Sequence, residues 1–465
     1  MRRPICLSSA LLALAAAAAP LGAGTLALDV ERAVELALEN NRAIAQARTG
    51  IEAAAAGKGA AFGAFLPQLS ASASYVRLGT VSKFEMVTPT YGSFPLGVYD
   101  TLGNPIGYTD SIPLAVGADT VDLELGGADN YSLTGTAELA LFTWGKLVNA
   151  YRIAGLSVDV EREALRLARS RVRTAAVEGF YNALLARKMA ALMQESYDQL
   201  ARHVDQARVL YDNGLATGLD VKRASVGLTN LKVQLTQVQN GAGLALDALR
   251  STLGLEPGTA LELVGELEPE DWPVDLEAAL DSALARRPEL EQLRAAARMA
   301  DLGVRIARTS NLPTLFAQFN YSYANPVGFT SGWGTDWNLV VGAQMPLFTG
   351  GTNLNRFKQA QAQERQARIG LAMVEDAVGL EVRARHSALE QESQNIALQS
   401  ENVAVAEEAL AMAETGYQNG LVTNLEYLDT QLALTQSRVS YLSSLANHRI
   451  ARARLLQAMG TVEEE

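Results

Sequence analysis

The sequence predicts an α+β membrane protein that is internally duplicated, with four transmembrane β-strands per chain contributing to a shared β-barrel and very long coiled-coil helices joined to them. Three observations lead there. Matching residues recur in register through the two halves, two long tracts without proline carry apolar residues at helical spacing, and four short segments alternate apolar with polar residues.

The duplication comes first because it sets the order of everything else. Ala37-Leu38 matches Ala283-Leu284 at an offset of 246, as do Leu66-Pro67 with Leu312-Pro313 and Tyr75 with Tyr321. Further along, the offset is 206: Leu141–Thr143 matches Leu347–Thr349, YDNGLATGLD from Tyr211 matches YQNGLVTNLE from Tyr417, and Leu253-Gly254 matches Met459-Gly460. One loop of the first copy is therefore forty residues longer than its counterpart. Each copy reads as short helix, Leu-Pro break at Pro67 or Pro313, strand, loop, strand, very long helix, glycine-centred turn and shorter helix. The divisions are 1–24 as signal peptide, 25–260 as first repeat, 261–274 as connector, 275–460 as second repeat and 461–465 as acidic tail.

The N-terminus has Arg2 and Arg3, an apolar run from Ile5 to Ala19 and then small residues, the pattern of a cleaved secretory signal. Proline is missing between Pro113 and Pro257 and after Pro346, which permits uninterrupted helices. Trp144 to Tyr211 would span ~100 Å as a helix at 1.5 Å per residue. A seam recurs along it at Leu165, Ala168, Val172, Ala175, Gly179, Ala183, Ala186, Ala190, Met193, Tyr197, Leu200, Val204, Ala207 and Tyr211. In the second copy the same pattern is clearest at Val403, Ala406, Leu410, Ala413 and Tyr417.

Between the Leu-Pro break and the long helix the period changes to two. Leu69, Ala71, Ala73 and Tyr75 oppose Ser70, Ser72 and Ser74, and Leu133, Ala137 and Leu139 oppose Thr134, Thr136 and Glu138. In the second copy Leu315, Ala317, Phe319, Tyr321 and Tyr323 oppose Gln318, Asn320 and Ser322, and Trp337, Leu339, Val341 and Ala343 oppose Asn338 and Gln344. Such strands, ~11 residues with one apolar face, have the form of lipid-facing barrel strands. Four strands leave open edges, which hydrocarbon does not tolerate, so other subunits must complete the barrel. Two chains would make a filled eight-stranded barrel and three a twelve-stranded one with a lumen. Residues 79–130, rich in Gly, Pro, Thr and Asp, are expected to form a long extracellular loop.

Composition narrows function. Removal of Arg2 and Arg3 takes the formal charge from −12 to about −14, which argues against nucleic acid. The single cysteine, Cys6, lies in the signal, so no disulfide is expected. His203, His386 and His448 lack metal-ligand spacing and read as surface or packing residues. There is no nucleophile–base pair, metal cluster or phosphate-cradling loop, so neither an enzyme, a metal nor a cofactor is expected.

The opening LDVERAVELALENNRAIAQAR, the Leu66-Pro67-Gln68-Leu69 junction and the two YxNGxxTxL[DE] turns resemble the TolC-type outer-membrane efflux channel family over nearly the whole mature chain. The resemblance implies a homotrimer with a twelve-stranded barrel in outer-membrane lipid and a helical tunnel in the periplasm of a Gram-negative cell. It also implies a periplasmic adaptor protein and an inner-membrane pump as partners. By the same resemblance Tyr211, Gly214, Asp220, Tyr417 and Gly420 belong to the periplasmic tip, and Glu426 and Asp429, one helical turn apart, ring the constriction. One departure stands out: Val422 occupies the place of a basic residue that latches onto the first-turn acid, with Arg223 as a candidate substitute. A membrane-anchored coiled-coil scaffold or adhesin is the alternative reading, but a stalk needs no barrel.

Overall fold

The computed structural model describes residues 26–81, 83–108, 112–124, 127–328 and 332–461. The expected signal 1–24, with Cys6, and the tail beyond Thr461 lie outside the described residues. The first half contains β1 (Leu26–Leu28), α1 (Val30–Asn40), α2 (Arg42–Gly63), β2 (Gln68–Arg77), β3 (Lys83–Phe94), β4 (Gly97–Tyr99), β5 (Pro105–Tyr108), β6 (Ile112–Glu124), β7 (Asp129–Phe142), α3 (Lys146–Asp212) and α4 (Gly218–Thr252). After β8 (Leu261–Leu263) the second half contains α5 (Leu276–Arg286), α6 (Pro288–Arg308), β9 (Thr314–Asn325), β10 (Gly334–Gln344), α7 (Thr352–Gln418) and α8 (Asn424–Met459). Two compact units result. One holds the residues up to Ala54 with Leu156–Arg298 and Arg365–Glu465, and the other holds Ala55–Gly155 with Met299–Glu364. Both units draw on both halves, because α3 and α7, 67 residues each, run through both.

The expected short helix is in fact a pair of helices in each half, and the cause is local. Asn41 is extended (φ −68°, ψ 129°), accepts from Ala43 N–H at 2.9 Å and donates its amide to the Thr252 carbonyl at 2.9 Å. Arg287 is also extended (φ −66°, ψ 125°), as the residue before Pro288 must be. It donates Nε to the Ala458 carbonyl at 2.7 Å and pairs with Glu381 at 2.6 Å. Asn41 and Arg287 are repeat counterparts, and so are the carbonyls they reach. At the start of the expected connector 261–274, β8 pairs in parallel with β1.

In the helical unit one core gathers Leu28, Phe180, Leu184, Leu249, Leu253 and Leu263, and a second gathers Leu290, Val378, Val382, Leu389 and Leu455. Val172, Ala183, Leu200, Val204 and Ala207 of the expected α3 seam are buried, but Ala175 and Tyr211 are exposed. The buried stripe is wider than a heptad seam and includes Phe180, Leu184, Leu192 and His203, because α3 packs against several elements rather than one partner helix.

The strand unit contains a four-stranded antiparallel sheet in the order β10-β9-β7-β2. Its register puts Leu69, Ala137, Phe319 and Leu339 in one row and Ser70, Thr136, Asn320 and Asn338 in the next. Opposed residues share a face, so the two-residue period becomes one apolar and one polar face across all four strands. On the polar face Thr136 Oγ1 donates to Asn320 Oδ1 at 3.0 Å, and Asn320 Nδ2 donates to Asn338 Oδ1 at 2.9 Å. On the apolar face Leu69 is 80 % exposed, far from the usual lot of a leucine in a soluble sheet. Aromatic rings mark both ends: Tyr75, Tyr131, Tyr323 and Trp333 at one, Phe142 and Trp144 at the other.

Residues 79–130 are not a plain loop. β3 and β6 form an antiparallel hairpin from Lys83 opposite Glu124 to Phe94 opposite Ile112, and β4 pairs with β5 beyond it. Pro89, Gly92 and a register shift between Thr90 and Tyr91 interrupt the alternation that would have announced these strands.

Candidate functional site

Two kinds of expected site residue lie at helix–strand junctions and two turns. Pro67 and Pro313 stand between helix and strand, directly before β2 and β9. The Pro313 carbonyl accepts from the Trp144 indole at 2.7 Å, which helps hold Trp144 in an otherwise unfavourable left-handed conformation (φ 53°).

At the ends of α3 and α7 the chain turns on Gly214 (φ 76°) and Gly420 (φ 72°), as the sequence requires. The Gly214 and Leu215 N–H groups donate to the Tyr211 and Leu210 carbonyls, and those of Gly420 and Leu421 to the Tyr417 and Gly416 carbonyls. Each is a Schellman ending. Each following helix then opens with a capping box. Thr217 N–H donates to Asp220 at 3.1 Å while Asp220 N–H donates back to Thr217 Oγ1 at 3.3 Å, and Thr423 with Glu426 repeats this at 2.8 and 3.3 Å. The Thr217 side chain above all, then its backbone and the Arg223 charge, hold the Asp220 carboxyl below the usual range. The Thr423 backbone, then its side chain, do the same for Glu426. So Glu426 is first a helix cap.

Val422 has a physical role of its own. It is the residue before the Thr423 cap and joins the cluster of Leu410, Ala413, Tyr427 and Leu434, so Val422 and Tyr427 are placed as a hydrophobic staple. An ion at 422 would disrupt this apolar contact.

The second turn also collects residues that sequence reasoning did not single out as a site. Asn424, 3 % exposed, accepts from His203 Nε2 at 2.7 Å and donates its amide to the Asp220 carbonyl at 3.1 Å. The His203 ring stacks on Tyr427 at 4.0 Å and lies 4.9 Å from Tyr417. Burial pushes the Tyr417 hydroxyl up, with the Asp220 charge adding to it. The two turns differ here: Tyr211 is exposed and covers Gly218, the counterpart of Asn424. That replacement, with Val221 in place of Tyr427, was the readable signal that the two turns differ.

Asp429 and Arg223 line one groove of about 640 Å³ between α4 and α8, whose apolar walls are Leu219, Val226, Leu425 and Leu432. Among the described residues no ion pair joins the two. Arg223 acts on Asp220 through its charge alone. Of the other histidines, His448 is buried, and His386 lies within 2.9 Å of the Val274 carbonyl.

A family model described as outer membrane efflux protein matches residues 33–255 and 279–461. The outer membrane efflux protein BepC of Brucella suis biovar 1 (strain 1330) is 25 % identical over 346 residues, 72 % of this chain and 74 % of its own length. The outer membrane protein TolC of Escherichia coli (strain K12) is 24 % identical over 298 residues, 62 % of this chain and 60 % of TolC, so this chain matches only three fifths of that relative. Among solved structures, a membrane protein from Pseudomonas aeruginosa has a TM-score of 0.74 at 19 % identity, covering 93 % of both chains. The Campylobacter jejuni CmeC outer membrane channel has a TM-score of 0.74 at 17 % identity, covering 94 % of this chain and 87 % of its own. At these identities the structural likeness establishes the fold. The family match spans both halves, and the chain therefore belongs to the outer membrane efflux protein family, a family of outer-membrane channel proteins and not of enzymes.

Proposed function

We propose that this protein is the exit duct of a tripartite efflux or secretion system, passing substrates from an inner-membrane pump and a periplasmic adaptor to the outside. The observation that carries this reading is the four-stranded sheet. It is apolar on one face and hydrogen-bonded through hydroxyls and amides on the other, and β2 and β10 each have an edge without a partner strand among the described residues. Such edges must be paired inside a bilayer. A homotrimer supplies twelve strands, with the polar faces lining a lumen and the apolar faces meeting outer-membrane lipid.

The turns at Gly214 and Gly420 are then the periplasmic tip. Glu426 and Asp429 of three subunits ring its constriction, where converging carboxylates attract cations. Mass determination of the detergent-purified protein tests the assembly, and planar-bilayer recording tests conduction. A monodisperse monomer that retains its β signal would overturn the shared barrel and the duct with it.

A further inference from the structure

His203, Asn424 and Asp220 tie three helices together at the second turn. His203 comes from α3, Asn424 is the first residue of α8, and the Asp220 carbonyl belongs to the first turn of α4. His203 is 4 % and Asn424 3 % exposed, so neither bond is exchanged freely for water. The tautomer follows from the partners. With its amide nitrogen engaged by the Asp220 carbonyl, Asn424 turns its oxygen to the imidazole, so the neutral ring carries its proton on Nε2 and donates it there. The link is confined to one turn, since the repeat counterparts of His203, Asn424 and Tyr427 are Ala409, Gly218 and Val221.

We propose that the His203–Asn424–Asp220 link is the latch that holds the tip closed in this chain, and that acidification of the periplasm releases it. The proposal rests on reading the tip as the closed end of a duct. Val422 leaves the second turn without a basic residue for an ionic latch, whereas the neutral link reaches the same first-turn residue through its main chain. His203 is the positioning residue: it fixes the Asn424 oxygen and thereby aims the amide at α4.

The direction of the pH response follows from what surrounds the ring. Glu414 and Tyr417 of α7, Tyr427 of α8, Asp220 of α4 and Arg202 of α3 are the titratable and charged groups about the cluster. Glu414 and the Asn424 bond favour the imidazolium, but burial outweighs them and holds His203 below its ordinary value of 6.5. A latched ring therefore binds a proton less readily than a released, hydrated one. The closed state keeps its full stability above about pH 6.5 and loses it as the pH falls below that value.

Closed-channel conductance of the detergent-purified trimer in planar bilayers, followed from about pH 7.5 to about pH 5, is the test. The wild type should rise in conductance on acidification. His203→Gln keeps a donor for Asn424 but does not titrate, so it should lose the response. Asn424→Asp keeps an acceptor for the ring but has no donor for the Asp220 carbonyl, so it should conduct already at about pH 7.5 and show little further rise on acidification. Native mass of each variant confirms the trimer. Acid opening in His203→Gln equal to that of wild type, or a wild type indifferent to pH, overturns the latch. A trimer that conducts under no condition overturns the duct reading and the latch together.

Discussion

Substituting Gly416 by alanine isolates the packing of Val422 at the second turn. Propensity alone favours the change, since alanine in a helix is better than glycine by about 1 kcal/mol. Sterics oppose it: a Cβ at 416 would lie 2.4 Å from Val422 Cγ2 and 3.2 Å from Val422 Cβ. Val422 does not yield cheaply, because a β-branched side chain has few rotamers and its N–H is held 3.2 Å from the Gly416 carbonyl. Overpacking of this kind costs about 1–3 kcal/mol, so the net effect should be a loss of roughly 1 kcal/mol. Gly370 on the same helix has nothing within 4 Å of its Cβ position, so Gly370→Ala should gain up to about 1 kcal/mol. The two substitutions share their chemistry and should differ by roughly 2 kcal/mol in the opening free energy of the surrounding amides. Hydrogen exchange read by mass spectrometry on the detergent-purified protein measures it. Protection at the second turn in Gly416→Ala equal to or above wild type would refute the argument that Val422 is wedged against α7.

Three further outcomes are expected. Gly214→Val or Gly420→Val should cost about 1–2 kcal/mol at a left-handed position, lowering export in a cell-based efflux assay while the trimer survives purification. Arg287→Met strips the Ala458 carbonyl of its partner and leaves Glu381 only Arg385 at 3.9 Å, and should cost about 2–4 kcal/mol of stability, measured by chemical denaturation, a range lowered because Glu381 is 40 % exposed. Glu426→Gln with Asp429→Asn keeps the cap of α8 but removes the ring charge, so cation selectivity in planar bilayers should fall with little change in trimer stability.

The long helices and the sheet parity were legible because each rests on one repeating signal. Proline placement and 3–4 spacing carry α3 and α7 over their 67 residues, and the alternation from Leu69 to Tyr75 survives as one face of the sheet. What escaped depends on contacts distant in sequence. The break at Asn41 is held by the Thr252 carbonyl, 211 residues away, and β1 and β8 are only three residues long, with no pattern to detect. Arg287-Pro288 was the readable half of that pair, since a residue before proline leaves the helical region. At the two turns, Gly214, Gly420 and the two capping boxes are local motifs and could be seen. The role of Asn424 could not, because its partners come from α3 and α4.

The comparison of the two halves separates residues kept for packing from residues suited to gating. Where Asn41 and Arg287 reach Thr252 and Ala458, different side chains make the same bond, so the geometry is retained although the chemistry has changed. Both turns likewise keep their Schellman ending and capping box, which each helix needs whatever the tunnel does. At the next positions the halves part: the first turn has Gly218 and Val221, and the second has Asn424 and Tyr427 against His203. Nothing in the capping of α8 requires that difference, because α4 is capped without it. A buried polar link also costs desolvation that an apolar contact would avoid, and it is stable only while every partner is in place. Such a link suits a joint that must be definite when closed and still able to open. On the latch proposal the asymmetry assigns the movable joint to the second turn, against α3 and α4, while among the described residues the first turn, with Tyr211 exposed over Gly218, has no equivalent tie.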